Sequence, residues 1–168
     1  MPLIKKGMFA IDRFATIADG EALPDGAPVI VSLKRWRAER EALLARGTPL
    51  GVKLPSDQSP EGIKQDLPHL SVVALDFPIF RDGRSYSWAR LLRQRLGYKG
   101  EIRAVGNVLR DQLFFMARVG IDAFEVPEGF SLEAFSRALR DFSYAYQPSV
   151  DGRRTVVELR HSQRIAAE

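Results

Sequence analysis

The chain has 168 residues, 45% of them hydrophobic and 27% charged, which is enough for one domain with a substantial core. Its net charge of +4 is modest, and acidic residues are mixed with basic ones throughout, unlike the patch or stripe of a nucleic-acid binder. There is no cysteine, which excludes disulfides, thiolate-held iron–sulfur clusters, thiol catalysis and cysteine zinc sites.

The first residues, Leu3-Ile4-Lys5 and Phe9-Ala10-Ile11 around Lys6-Gly7, read as a small β element that covers part of a larger sheet. A loop rich in turn residues follows, from Asp19-Gly20 to Pro24-Asp25-Gly26. Val29-Ile30-Val31 is of strand type, and the Ser32 hydroxyl can cap the helix after it. That helix is expected to reach about Arg46, with Trp36, Leu43 and Leu44 near one face and Arg35, Glu39 and Arg46 outside. Leu50 to Leu54 reads as a strand. Ser59-Pro60 marks a short helix carrying Ile63 and Leu67 and stopped by Pro68.

A central unit then runs from Ser71 to Glu125 as strand, helix, strand, helix, strand. Its strands are Val72 to Phe77, Ile102 to Val105 and Ala123 to Val126. Its first helix, Tyr86 to Leu96, places Trp88, Leu92 and Leu96 on one stripe. The second is expected to be capped by Asn107 and to bury Leu109, Leu113, Met116 and Ala117 before Gly120. Phe114 and Phe115 cannot both be centred on that stripe, so one ring is expected near the surface, where it could form a partner patch. Ser131 should cap a further helix with Leu132, Phe135, Leu139 and Phe142 on its core face. Thr155 to Leu159 reads as a last strand, and Ser162 to Glu168 as a loose tail.

About five strand-then-helix repeats imply an α/β fold with a mainly parallel sheet of about five strands, either open and doubly wound or a partial barrel. A closed eight-fold barrel needs at least about 200 residues. The expected organisation is one α/β domain over residues 1–168, with the N-terminal β element and loop at 1–27 and a C-terminal tail at 149–168.

Two loops follow strands of the central unit and should open at the same edge of the sheet, where such folds place their sites. The first holds Arg81, Asp82, Gly83, Arg84, Tyr86 and Ser87. Helix-start N–H groups and arginine forks suit an oxyanion or a carboxylate. Equally, Asp82 and the arginines can pair with each other and brace the loop. The second holds Asn107, Arg110, Asp111 and Gln112; Asp111 either works in a site or stabilises a helix start. Asp76, at its strand end, could join Asp82 and Asp111 in an acid–base or magnesium set, a reading that ordinary strand-end carboxylates weaken. Our preferred arrangement has Arg84 and Arg110 converging on one anion, with Asp82 and Asp111 orienting the guanidinium groups. His69 and His161 read as surface residues, so no metal site is expected. No dinucleotide fingerprint, phosphate-binding loop or nucleophile elbow is present, and no cofactor is expected. No apolar run approaches the ~20 residues of a membrane span, and Met1 to Lys6 has no signal-type apolar core. A cytoplasmic location, with no membrane or nucleic-acid partner, is the expectation.

The same residues resemble a known family. Phe77-Pro78-x-Phe80-x-Asp82-Gly83-Arg84-x-Tyr86-Ser87-x-Ala89-Arg90-Leu91-Leu92-Arg93 and Gly100-Glu101-x-Arg103-Ala104-Val105-Gly106-x-Val108-Leu109-Arg110-Asp111-Gln112-Leu113, followed by Gly120-x-Asp122-Ala123-Phe124, are similar to a bacterial family of unknown function. That family is often labelled an oxidoreductase of sulfite reduction, and its members accompany assimilatory sulfite reductase. Asn107 stands where the family pattern leads one to expect Asp. The resemblance implies a role in sulfite and sulfate assimilation. Sulfite reduction needs sirohaem, iron–sulfur and flavin or nicotinamide carriers, for which this chain shows no ligand set or fingerprint. The expected function is therefore an accessory or binding protein that acts with sulfite reductase or another enzyme of sulfate assimilation, or that binds an anionic intermediate. The alternative is a small α/β enzyme using Asp82, Asp111, Arg84 and Arg110 on an anionic substrate; a domain sensing a sulfur metabolite is a third class.

Overall fold

Eight strands pair into one mixed sheet in the computed structural model, which describes residues 1–165. In chain order the elements are β1 (Leu3–Lys5), β2 (Met8–Ala10), β3 (Ala15–Thr16), β4 (Val29–Ser32), α1 (Leu33–Ala45), β5 (Leu50–Leu54), β6 (Leu70–Phe77), α2 (Arg84–Gln94), β7 (Glu101–Gly106), α3 (Leu113–Arg118), β8 (Ala123–Glu125), α4 (Leu132–Ala138) and α5 (Val156–Ile165). The strand order is β2-β1-β8-β7-β6-β5-β4-β3. Neighbours from β3 to β8 are parallel, whereas β1 is antiparallel to both β2 and β8.

The expected mainly parallel sheet of about five strands is therefore too small and too uniform. The N-terminal hairpin does not merely cover the sheet but extends it, through β1 on β8, and the short β3 adds the opposite edge. Val73, Ile102 and Phe124 lie on adjacent parallel strands, as the central unit implies. Because β4 to β8 follow one another in space as in sequence, there is no reversal of strand order as in a doubly wound sheet. Right-handed crossovers that all advance the same way put their helices on one face. Leu33 and Trp36 of α1, Leu92 of α2, Met116 of α3 and Phe135 of α4 accordingly share one core with Val31, Val52, Leu75 and Ala104.

The other face is concave. The chain leaves β2 at one edge of the sheet and re-enters at β3 on the far edge, with only residues 11–14 between. Five Cα steps reach at most about 18 Å, but the seven spacings across a flat eight-stranded sheet are about 34 Å. The sheet must curl into a half-barrel so that this strap can cross its hollow. Phe14 of the strap packs on Ile30, Val72, Ala74 and Val105. Gly51 lies beneath it; a Cβ there would come within 2.8 Å of Ile30 Cγ1 and 3.1 Å of Val72 Cβ, so only hydrogen fits.

Arg103 of β7 fastens the strap. Its side chain is 1% exposed, and its guanidinium donates to Asp12 at 2.6 and 3.1 Å and to Glu101 at 2.9 Å, with Glu125 at 3.4 Å. Burial alone would push its pKa down, but the bonds to Asp12 and Glu101 reverse that, and the group is held charged.

Several local expectations change. Arg35, expected outside, is buried and donates to the carbonyls of Ala18 and Glu21, pinning the loop before β4. The expected helix after Ser59 is instead two 3₁₀ turns, Pro60–Ile63 and Leu67–His69. The segment is too short to nucleate a helix, and a residue before proline disfavours helical geometry. Phe142 falls beyond α4 and is 47% exposed, stacking on Phe114 and Phe115. Phe114 is buried, whereas Phe115 is 47% exposed. The expected strand at Thr155 begins α5 instead. Thr155 Oγ1 accepts from the Glu158 N–H, and Glu158 Oε2 accepts from the Thr155 N–H, a reciprocal capping box. Of the expected tail, Ser162 to Ile165 belongs to α5, and residues 166–168 lie outside the described residues. No helix among the described residues is long and apolar enough to cross a membrane.

Replacing Arg103 by Met leaves Asp12, Glu101 and Glu125 crowded without their shared cation. The variant is expected to be about 3–5 kcal/mol less stable in urea unfolding. A loss below about 1 kcal/mol, the scale of an exposed pair, would mean that the strap holds without the guanidinium.

Candidate functional site

The parallel strands end together, and the segments after β5, β6 and β7 form one rim. After β5 the chain turns through Pro55-Ser56-Asp57; after β6 it turns through Pro78 to Gly83 into α2. Asp82 lies at the join. Its carboxylate accepts from Ser56 Oγ at 2.6 Å, from Arg84 Nε at 2.9 Å and Nη2 at 2.7 Å, and from the Arg84 backbone N–H at 3.2 Å. Arg84 Nη2 also reaches Ser56 Oγ at 3.2 Å. The bonds from Arg84 and then Ser56 outweigh desolvation and hold the Asp82 carboxyl far below the usual carboxylate range; the bond to Asp82 in turn raises the Arg84 pKa. Trp88 Nε1 donates to the Ser56 carbonyl at 2.8 Å, so α2 grips both ends of this residue.

Beneath the rim, Ser85 is fully buried and donates to the Asp76 carbonyl at 2.6 Å. The Asp76 carboxylate lies 3.1 Å from Lys53 Nζ on the adjacent strand. Gly106 closes β7 at φ +90°, and a Cβ there would meet the Phe77 carbonyl at 2.8 Å and Asp76 Oδ1 at 3.0 Å. Asn107, expected to cap a helix, instead donates its N–H to the Phe77 carbonyl at 2.7 Å. The chain bends at Asn107, where the Val108 N–H donates to the Gly106 carbonyl at 3.0 Å; Leu109 is extended, and a 3₁₀ turn, Arg110–Gln112, leads into α3. The expected helix face through Leu109 therefore begins only at Leu113.

The expected residues are thus distributed. Asp82 and Arg84 meet, in the self-bracing form of the two readings. Gly83 precedes α2 without a side-chain cap, and the helix starts at Arg84, before Ser85 and Ser87. Tyr86 packs edge-on against Phe77 with ring centres 5.3 Å apart. Burial first, and the charge of Asp111 second, push its hydroxyl up to about 12, so it stays protonated at neutral pH and is a weak acid. Ser87 is exposed on α2. Arg81 is exposed, with no ion pair among the described residues. Gln112 is buried and structural, its Oε1 accepting from the Leu109 N–H at 3.3 Å. Arg110 does not join Arg84 through a shared partner. Its two Nη atoms engage Asp141 at 2.5 and 2.8 Å, so Asp141, not Asp111, orients it.

Ser56, Lys53 and Asp141 were missed. Strand alternation places Lys53 on the concave face with Asp76, and adjacent β5 and β6 ends bring Ser56 to Asp82. No local pattern singles out Asp141. Among the described residues no three His, Cys, Asp or Glu side chains gather as a metal site.

A curled α/β sheet with an ion-paired Asp–Arg–Ser brace at the carboxyl ends of its parallel strands is the class to which this architecture belongs. By sequence, the chain belongs to DUF934, a family described as bacterial proteins of unknown function, whose pattern matches residues 51–157. No curated protein matches the chain.

The sign of the Asp82 shift sets a pH test. A carboxyl whose folded pKa is depressed stabilises the fold above its unfolded value, about 3.9, and loses that contribution as pH falls below it. The stability gap between wild type and Asp82→Ala is expected to be widest near neutral pH and to shrink below about pH 4. Urea midpoints across that range measure it; a gap unchanged by acid would refute the brace.

Proposed function

We propose that the chain is an accessory protein of sulfite assimilation that docks on a partner enzyme through the rim at the carboxyl ends of its parallel strands. The observation that carries this reading is the loop after β6. Ile79 and Phe80 are each 59% exposed, and they stand directly before the unpaired Arg81 and the braced Asp82 and Arg84. Apolar and aromatic anchors beside arginine are the composition of an interface centre. The Asp82–Arg84–Ser56 brace fixes the base of that loop, which lowers the ordering cost of docking. The assimilatory context comes from the motif resemblance around Phe77 to Phe124, and sulfite reductase is the partner it suggests.

Binding of an anionic intermediate fits the same rim, since the Arg84 side chain is 55% exposed and its Nη1 has no hydrogen-bond partner among the described residues. The enzymatic reading has less support. A carboxylate committed to four hydrogen bonds and shifted far below neutral pH is a weak base, and Arg110 is engaged by Asp141.

The test is co-purification of the tagged chain with sulfite reductase, and with the other enzymes of sulfate assimilation, as wild type and as Ile79→Ser/Phe80→Ser. Truncating anchors of this kind costs upwards of about 2 kcal/mol. The double variant is therefore expected to bind at least about tenfold more weakly with an unchanged melting temperature. Arg84→Gln, titrated with sulfite beside wild type, checks the anion role. Failure of the wild type to capture any of these enzymes, or capture undiminished in the double variant, would overturn the docking reading.

A further inference from the structure

The opposite end of the sheet carries a second feature, independent of the rim. A cavity of about 640 Å³ opens beside the β1–β2 turn, where β7 and β8 begin. Its apolar wall is formed by Ile121, Phe124, Phe135 and Leu139, with the Phe124 and Phe135 rings edge-to-face at 5.3 Å. Its polar lining includes Lys6 and Lys99, both exposed.

The charges there do not cancel. Glu101, on the lining, is already engaged by Lys5 at 2.5 Å and by Arg103 at 2.9 Å. Asp122, also on the lining, accepts from Arg93 and from the Ile102 N–H. Among the described residues neither Lys6 nor Lys99 has a carboxylate within ion-pair distance. The cavity thus joins an aromatic and aliphatic wall to two uncompensated ammonium groups. Its volume falls within the roughly 300–1,000 Å³ of small-molecule sites, which combine mostly apolar walls with a few placed polar groups.

We propose that this cavity binds an amphipathic organic anion, an aromatic or aliphatic body bearing one carboxylate or sulfonate. The body would lie against Phe124, Phe135 and Leu139, and the acid group would be met by Lys6 and Lys99. An uncharged molecule of the same shape would leave the two lysines unanswered, and a small inorganic anion would leave the apolar wall wet. The same complementarity favours the amphipathic anion over both.

The experiment is calorimetric titration of the full chain with a naphthalenesulfonate and, in parallel, with the matching neutral naphthalenesulfonamide. The variants are Lys6→Asn/Lys99→Gln and Ala117→Phe. Asn tolerates the positive φ of 52° at position 6, and both lysines are exposed, so the first variant keeps its fold. Ala117 lines the cavity, and a ring there narrows it. Wild type is expected to bind the sulfonate saturably and at least about tenfold more tightly than the sulfonamide, the loss of one charge-assisted bond. The lysine variant should lose that preference, and Ala117→Phe should weaken binding of both ligands alike. Absence of saturable sulfonate binding, or binding undiminished by the lysine replacements, would overturn the proposal. Because Ile79→Ser/Phe80→Ser leaves this cavity intact, it should bind the sulfonate as wild type does, which separates the two sites.

Discussion

The architecture depends on one buried cation. A half-barrel of parallel strands has a hollow face with no helix to cover it, and here a strap of four residues must fill it. Apolar contact through Phe14 covers the half under β4 to β7, but the remainder is crossed by acidic groups from three different segments. Glu101 and Glu125, mostly buried, and Asp12 at the more exposed edge would repel one another without Arg103 between them. The guanidinium is suited to this, because its planar fork serves several carboxylates at once and it does not deprotonate under burial. Once the hollow is sealed, function moves to the two ends of the sheet. The carboxyl-end rim presents an apolar loop on an ion-paired base, and the amino end presents the lysine-edged cavity.

Strands β4 to β8 of the parallel array were legible in the sequence because each is a short apolar run bounded by turn residues, whereas the two exposed residues of β3 carry no such signal. The caps at Ser32 and Ser131 were legible for the same local reason; Ser32 Oγ accepts from Arg35 N and Ser131 Oγ from Ala134 N, both at 3.0 Å. What the sequence hid was pairing at a distance. Arg103 looks like an ordinary outward residue of Ile102-Arg103-Ala104-Val105, yet it is the most thoroughly buried charge among the described residues, and its partner Asp12 is 91 residues away. The brace shows both cases at once. Asp82 and Arg84 are two residues apart and readable as a unit, whereas Ser56 reaches them only because β5 and β6 are neighbours.

Local signals also misled where two of them competed. Thr155-Val156-Val157 has the β-branched look of a strand, but Thr155 and Glu158 form a capping box, and the cap prevails because no sheet edge is offered to these residues beyond one bridge from Thr155 to Ala145. At Asn107 the residue type suits a cap, but the left-handed Gly106 aims its N–H at the Phe77 carbonyl, and the helix has to wait for Arg110.

The pairing of β1 with β8 bears on how the chain is made. Leu3 sits opposite Glu125, so β1, already paired with β2, finds its second sheet partner only in β8, the last of the eight strands in chain order. Contacts this distant in sequence form late, because the intervening chain must be ordered before they are rewarded. Strands β4 to β7, each paired to its successor across a single crossover, can assemble while the N-terminal hairpin is still free. Met8, Phe9 and Ile11, all exposed in the finished fold, are then carried on an unattached segment until β8 has emerged. The hairpin and strap thus act as a closing latch, and an interrupted chain ending before β8 would leave the hollow open and the apolar hairpin without a sheet to join.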